Sequence, residues 1–330
     1  MKLLHWFRDL NGFQKVSCIT IALTFFLIFV GSFVRASGAG LGCPDWPKCF
    51  GMWIPPTTAS ELPAEYDASA FNPVHTWSEY VNRLVGVLVG FMITVTFVTS
   101  FTYRKTNPVV LYSSLAAFVL VLFQGWLGGQ VVQSGLIDWM ITTHMIVALL
   151  IVNVLLYAFF KAKSSQLKIT LNRTQHSGIY MVALVLIGVT LLQIILGAQV
   201  REALEGVSNA YPAMERAAWL SEVGWIDQIH RSASWLVLGL GVWLWYRARN
   251  YGAPASVIKL SLVINGLIII QFIGGVALAY FGLPPAFQVI HLLFASFLIA
   301  AQFLLILILN HARQVAEKRQ EYQNSTTAAA

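Results

Sequence analysis

Charge is what this sequence has least of. Asp, Glu, Lys and Arg make up 11% of its 330 residues against 57% hydrophobic, too few polar groups to cover a soluble globule of that size. A water-soluble fold is excluded, and the bilayer is the solvent. A basic stripe is missing as well. The net charge of +7 is dispersed over short segments between apolar runs, which argues against a nucleic-acid partner and leaves the basic residues as topology signals. Close groups of histidine and carboxylate are absent too, so a zinc or di-iron centre, which takes several such ligands, finds no set to bind it. Cysteine is down to three residues.

What the chain has instead is apolar length. Runs long enough to cross the hydrocarbon core lie at 16–34, 80–102, 109–127, 140–160, 179–200, 228–246, 256–280 and 286–309, which predicts an all-α membrane protein with eight transmembrane helices. Of the 21 Lys and Arg, 15 fall in the N-terminus, the second, fourth and sixth connections and the C-terminal tail, so by the positive-inside rule both termini are cytoplasmic. The first run follows basic residues and precedes Ala36-Ser37-Gly38, as a signal peptide would. Its length, and the recurrence of its Val34-Arg35 ending later in the chain, predict a retained helix.

That recurrence is part of a repeat. Val34-Arg35 is matched 166 residues on by Val200-Arg201, and Glu79-x-x-Asn82-Arg83 is matched 148 on by Asp227-x-x-His230-Arg231. Gly128-Gly129 is matched 146 on by Gly274-Gly275, and His144 is matched 147 on by His291. The drop in offset follows from a first outer loop, 35–78, longer than its counterpart, since insertions collect in loops. Four spans per half is an even number, which predicts two parallel, pseudo-symmetric four-helix bundles. The N-terminal half covers 1–160 and the C-terminal half 161–312. The polar tail over 313–330 reads as a frayed helix or disordered, and the loop 35–78 is too rich in proline to be one long helix.

Ionisable groups inside a span are costly, so their repetition carries information. Glu79, Asn82 and Arg83 share one face at i, i+3 and i+4, near the outer end of the second span, as Asp227, His230 and Arg231 do on the sixth. His144 lies about six residues into the fourth span, roughly 9 Å deep, and His291 is similarly placed. Imidazoles from facing helices among apolar side chains are a common way to hold haem, and His230 with His291 fits that pattern. Arg83 and Arg231 read either as interface anchors or as partners of haem propionates. Cys43 and Cys49, in a loop bent by Pro44 and Pro47, read either as a disulfide or as a redox-active dithiol pair. Cys18 reads as a packing residue, and His5, His176 and His311 stand outside the repeat.

Taken together, Arg35 with Gly-Leu-Gly-Cys-Pro-Asp-Trp-Pro-Lys-Cys at 40–49, Glu79-x-x-Asn82-Arg83, His144, His230-Arg231 and His291 resemble the haem A synthase family of cytochrome oxidase biogenesis. The resemblance covers nearly the whole chain. It implies a bacterial-type plasma-membrane oxidoreductase that converts a methyl group of haem O to the formyl group of haem A by successive hydroxylations with water as oxygen source. It further implies haem B as cofactor in the C-terminal half on His230 and His291, and haem O as substrate in the N-terminal half. There Glu79 would be the catalytic acidic residue and His144 an iron ligand. The partners implied are haem O, membrane lipid and a haem O synthase as donor, and a homo-oligomer stays open.

The chain departs from the family pattern at Asn82, where the motif has His. An amide is a poor iron ligand, so the N-terminal haem is five-coordinate or takes a second ligand elsewhere. His75 is the other outer-side histidine of that half, and Pro73 assigns it to the loop. Two other readings use the same histidines: a two-haem electron-transfer cytochrome, and a haem transporter or chaperone. Neither needs Glu79 as a catalytic group.

Overall fold

The computed structural model describes residues 2–328. Among them the regular structure is helical: α1 (Lys2–Arg8), α2 (Gly12–Ala36), α3 (Pro73–Ser100), α4 (Pro108–Gln133), α5 (Asp138–Lys163), α6 (Arg173–Ala210), α7 (Trp219–Val223), α8 (Trp225–Asn250), α9 (Ala255–Tyr280) and α10 (Pro285–Ala328). Seven of these, α2 to α6, α9 and α10, are long and apolar enough to cross a membrane, and the chain is an integral membrane protein. The expected eighth span, 228–246, falls on α8. That helix has 26 residues, but Asp227, Gln228, His230 and Arg231 at one end and Arg247 and Arg249 at the other dilute its apolar run.

The chain divides into two compact units. One comprises 1–162 with 284–293, the other 163–283 with 294–330. In the first, α3 packs on both α2 and α4, and in the second α8 packs on both α6 and α9. The buried core is apolar, as in a soluble bundle, but the outer surface is apolar too and polar residues sit between helices. Large apolar side chains such as Val87, Phe91, Trp235 and Ile273 are exposed, whereas Gln14, Ser17, Thr20, Thr24, Thr96 and Ser114 are buried. Small polar residues let helices approach closely where lipid removes the hydrophobic drive. Thr20 and Thr96 join α2 to α3 through their hydroxyls at 2.9 Å, and Gln302 donates to the Thr190 hydroxyl at 3.0 Å within the second unit.

Helix starts and stops repeat in ways that position the later histidines. α2 and α6 each open on an Asn-x-x-Gln capping box, Asn11 with Gln14 and Asn172 with Gln175, which satisfies otherwise orphaned N–H groups. Past the end of α4 the chain passes through Gly135 and Leu136 at φ +71° and +67°, and past α9 through Gly282 and Leu283 at +70° and +55°. A leucine in the left-handed region costs roughly 1–2 kcal/mol. Leu283 offsets this by burial with Val200 and Leu204, and the Leu136 side chain lies against Gly40. Each left-handed Leu precedes a histidine of the repeat, His144 or His291, by eight residues.

One expectation about a helix end is corrected, and one left open is decided. Pro73 does not keep His75 in the loop. It is the first residue of α3, capped by the Asn72 side chain accepting from Val74 and His75, and proline suits that position because its missing N–H would be orphaned anyway. The polar tail after His311 continues α10 as helix to Ala328. The loop before α3 contains only short 3-10 turns at Ala59–Glu61 and Ala68–Ala70.

Candidate functional site

Cys43 and Cys49 form a disulfide. They centre a small cluster with Phe50, packed on by Met52, Leu62, Tyr66, Phe71 and Tyr80. Inside the loop, the Asp45 carboxylate accepts from the backbone N–H of Phe50 at 2.6 Å and Gly51 at 2.9 Å. Burial and the charges of Asp45 and Glu65 raise the Tyr66 phenol above its ordinary value, so the ring stays neutral where it packs. The loop is also bound tightly to α3. Thr76 donates to the Gly42 carbonyl at 2.8 Å, and a Cβ at Gly42 would run into the His75 backbone, so only glycine allows this approach.

Glu79 and Arg83 complete the attachment. The buried Glu79 carboxylate accepts from the Cys43 backbone N–H at 2.7 Å and from the Arg83 guanidinium. Arg83 also donates through Nη1 to the Asp45 and Lys48 carbonyls, both at 2.8 Å, and through Nη2 to the Cys43 carbonyl at 3.3 Å. A guanidinium has five N–H donors, and here all five are committed to Glu79 and the loop. The i, i+4 spacing foretold that Glu79 and Arg83 share a face. It held no signal that the face grips the disulfide loop.

Asn82, beside Arg83, has its Oδ1 buried without a hydrogen-bond partner and 3.6 Å from where a Cβ on Gly31 of α2 would lie. His144 on α5 lies against Gly128 of α4, whose added Cβ would be 3.3 Å from the imidazole Cε1. Its Nδ1 is buried with no partner, and Gln124 of α4 donates to its backbone carbonyl at 3.0 Å.

The second unit handles His230 in the same manner. Its imidazole lies against Gly197 of α6, where an added Cβ would be 3.0 Å from Cε1. Its Nδ1 is buried without a partner, and Gln193 donates to its carbonyl at 2.7 Å. Gly197→Ala therefore forces the ring to move. If this ring holds the haem that the resemblance implies, the expected outcome is a drop in bound haem per protein without loss of expression, measured by pyridine haemochrome on the purified chain. Arg231 pairs with buried Asp227, but its side chain is 48% exposed against 14% for Arg83, so the two halves use their arginines differently. His291 is the seventh residue of α10, in the segment grouped with the first unit.

The donor set suits a porphyrin iron. Half-buried imidazoles with an unpartnered Nδ1 in apolar surroundings are nitrogen ligands suited to haem iron, and no group of three or more His, Cys, Asp or Glu that could hold a bare metal ion is found among the described residues. Sequence reasoning missed Gly31, Gly197, Gln124 and Gln193. Two of them carried a signal, since Gly31 and Gly197 are separated by the same 166 residues as Val34 and Val200.

A family model described as cytochrome oxidase assembly protein matches residues 14–303. The chain is 26% identical to a protein named heme A synthase from Wolbachia pipientis wMel, over 89% of this chain and 91% of that one. It is 29% identical to one so named from Shewanella oneidensis, over 64% and 62%, and 24% identical to one from Flavobacterium johnsoniae, over 84% and 92%. The matched range includes every residue of the site, and the chain belongs to the cytochrome oxidase assembly protein family.

Proposed function

We propose that this chain is a haem A synthase that oxidises a methyl group of haem O to the formyl group of haem A. The observation that carries the reading is the pairing of family membership with two imidazoles, His144 and His230, each laid on a glycine with a buried Nδ1 that meets no hydrogen-bond partner. Water supplies the oxygen. Each hydroxylation adds one water oxygen to the carbon, passes two electrons to an external electron acceptor and releases two protons, and the second yields a gem-diol that loses water to the aldehyde.

Haem O occupies the N-terminal half, 1–160, with His144 as iron ligand and Asn82 unable to serve as a second. Glu79 is the acidic residue near the reacting methyl. A carboxylate there stabilises positive charge developing on that carbon or receives a proton from the attacking water. For the C-terminal half, 161–312, the family resemblance implies haem B with His230 and His291 as ligands and Arg231 for a propionate, and when bound this cofactor would supply a one-electron redox centre. In this reading α8 crosses the membrane as the eighth span, the halves are pseudo-symmetric four-helix bundles, and both termini are cytoplasmic. The exposed positive charges of the connections support that orientation.

Pyridine haemochrome spectra with chromatographic identification of the bound haems test the proposal. The expected result is haem B together with haem O or its hydroxylated and formyl forms. Haem B alone, or unmodified haem released on incubation, would replace it by an electron-transfer or transport role. Delivery of haem O by its synthase within the bilayer predicts copurification of the two proteins in mild detergent.

A further inference from the structure

The cysteine loop holds Trp46 between α3, which carries Glu79 and Asn82, and α4, on which His144 of α5 lies. On α3, Arg83 donates to the carbonyls of Asp45 and Lys48, at 2.8 Å each. These residues flank Trp46 and its cis-linked Pro47, and Arg83 is the immediate neighbour of Asn82. On α4, the six-membered ring of the Trp46 indole lies over Gly129, where an added Cβ would be 3.0 Å from Cδ2 and 3.1 Å from Cε3. The immediate neighbour of Gly129 is Gly128, against which His144 lies. The indole and the imidazole therefore rest on adjacent residues of one helix, whose directions differ by about 100°. The indole is 41% exposed, so packing within the loop does not use up its surface.

We propose that Trp46 is the outer wall of the porphyrin site at His144, a substrate-contacting residue, and that Arg83 is the positioning residue that seats it. This inference rests on the reading of His144 as the ligand of the substrate haem. A flat aromatic ring is suited to lie against a porphyrin edge or face, and a ring fixed at two points excludes water from the iron and retains a partly oxidised substrate until the second hydroxylation. Arg83 serves through geometry. Its five donors are spent on the loop and Glu79, which leaves its charge to organise the wall rather than to grip a propionate.

The test uses the full-length protein purified with its bound haems, as Trp46→Ala, Trp46→Phe, Arg83→Gln and His144→Ala. Flash photolysis measures carbon monoxide recombination with the reduced substrate haem, and extraction measures the ratio of hydroxymethyl to formyl product. In Trp46→Ala, recombination is expected to speed up by about an order of magnitude as the gate is removed, with the alcohol fraction rising several-fold. Trp46→Phe, which keeps a smaller flat ring, moves both values less far in the same direction, and Arg83→Gln moves both in the direction of Trp46→Ala although the indole is intact. His144→Ala loses one porphyrin equivalent. Unchanged recombination and product ratio in Trp46→Ala, with that equivalent still lost in His144→Ala, overturn the wall and leave the His144 assignment standing. Retention of both equivalents by His144→Ala overturns the assignment and the wall with it.

Discussion

Glu79→Ala is expected to reduce haem A formation in membranes by about 10²-fold or more, the scale of a lost general acid or base. It also breaks a buried ion pair, leaves the Arg83 charge uncompensated at a cost of about 3–5 kcal/mol, and removes the acceptor of the Cys43 N–H. The loop and the chemistry would fail together, so Glu79→Gln separates them. The amide keeps a carbonyl oxygen for the Cys43 N–H and loses both the negative charge and the oxygen that Arg83 uses, while the three bonds from Arg83 to the loop carbonyls remain to hold the loop. Its expected behaviour is a disulfide as resistant to mild reductant as in the native chain, judged by thiol alkylation, with haem A still down by about 10²-fold. Wild-type haem A levels in Glu79→Gln would mean that the carboxylate only fastens the loop.

The second large effect is expected at the cofactor. His230→Ala and His291→Ala should each abolish the low-spin spectrum of a bis-imidazole haem, because a single remaining imidazole leaves the iron five-coordinate or lets the haem escape. His144→Ala should leave that spectrum in place while losing the substrate porphyrin. Reduced absorbance spectra of the three variants, normalised to protein, distinguish the two sites. Loss of the same band in all three would show one shared haem and remove the division of labour between the halves.

The spans were legible because hydropathy and length decide membrane crossing almost alone. α8 was the exception in composition, since the polar residues that would hold a cofactor also lower its apolar content. The faces of α3 and α8 were legible from i, i+3 and i+4 spacing. What those faces hold was not, because the Cys43 N–H and the Asp45 and Lys48 carbonyls are backbone groups that carry no residue identity. His75 was misplaced because Pro73 was read as a helix breaker, whereas Asn72 before it turns the same proline into a helix start. The repeat marks the glycine under His144 but not its role, and the matched motifs leave Gly197 under His230 unmarked, for the role depends on a ring brought by another helix.

The left-handed Gly-Leu turns act as a depth gauge for the histidines that follow them. Each fixes where its helix enters, so the phase of His144 is counted from Leu136 and that of His291 from Leu283, whatever the length of the loops elsewhere. One residue inserted between Leu136 and His144 would swing the imidazole through about 100° and carry it roughly 1.5 Å further along the helix axis. An insertion of seven would restore the direction and sink the ring by roughly 10 Å. The 35–78 loop has absorbed extra residues, while the eight-residue count from leucine to histidine is the same in both halves. Insertional scanning should therefore find this short stretch intolerant of any change in number, even where single substitutions pass.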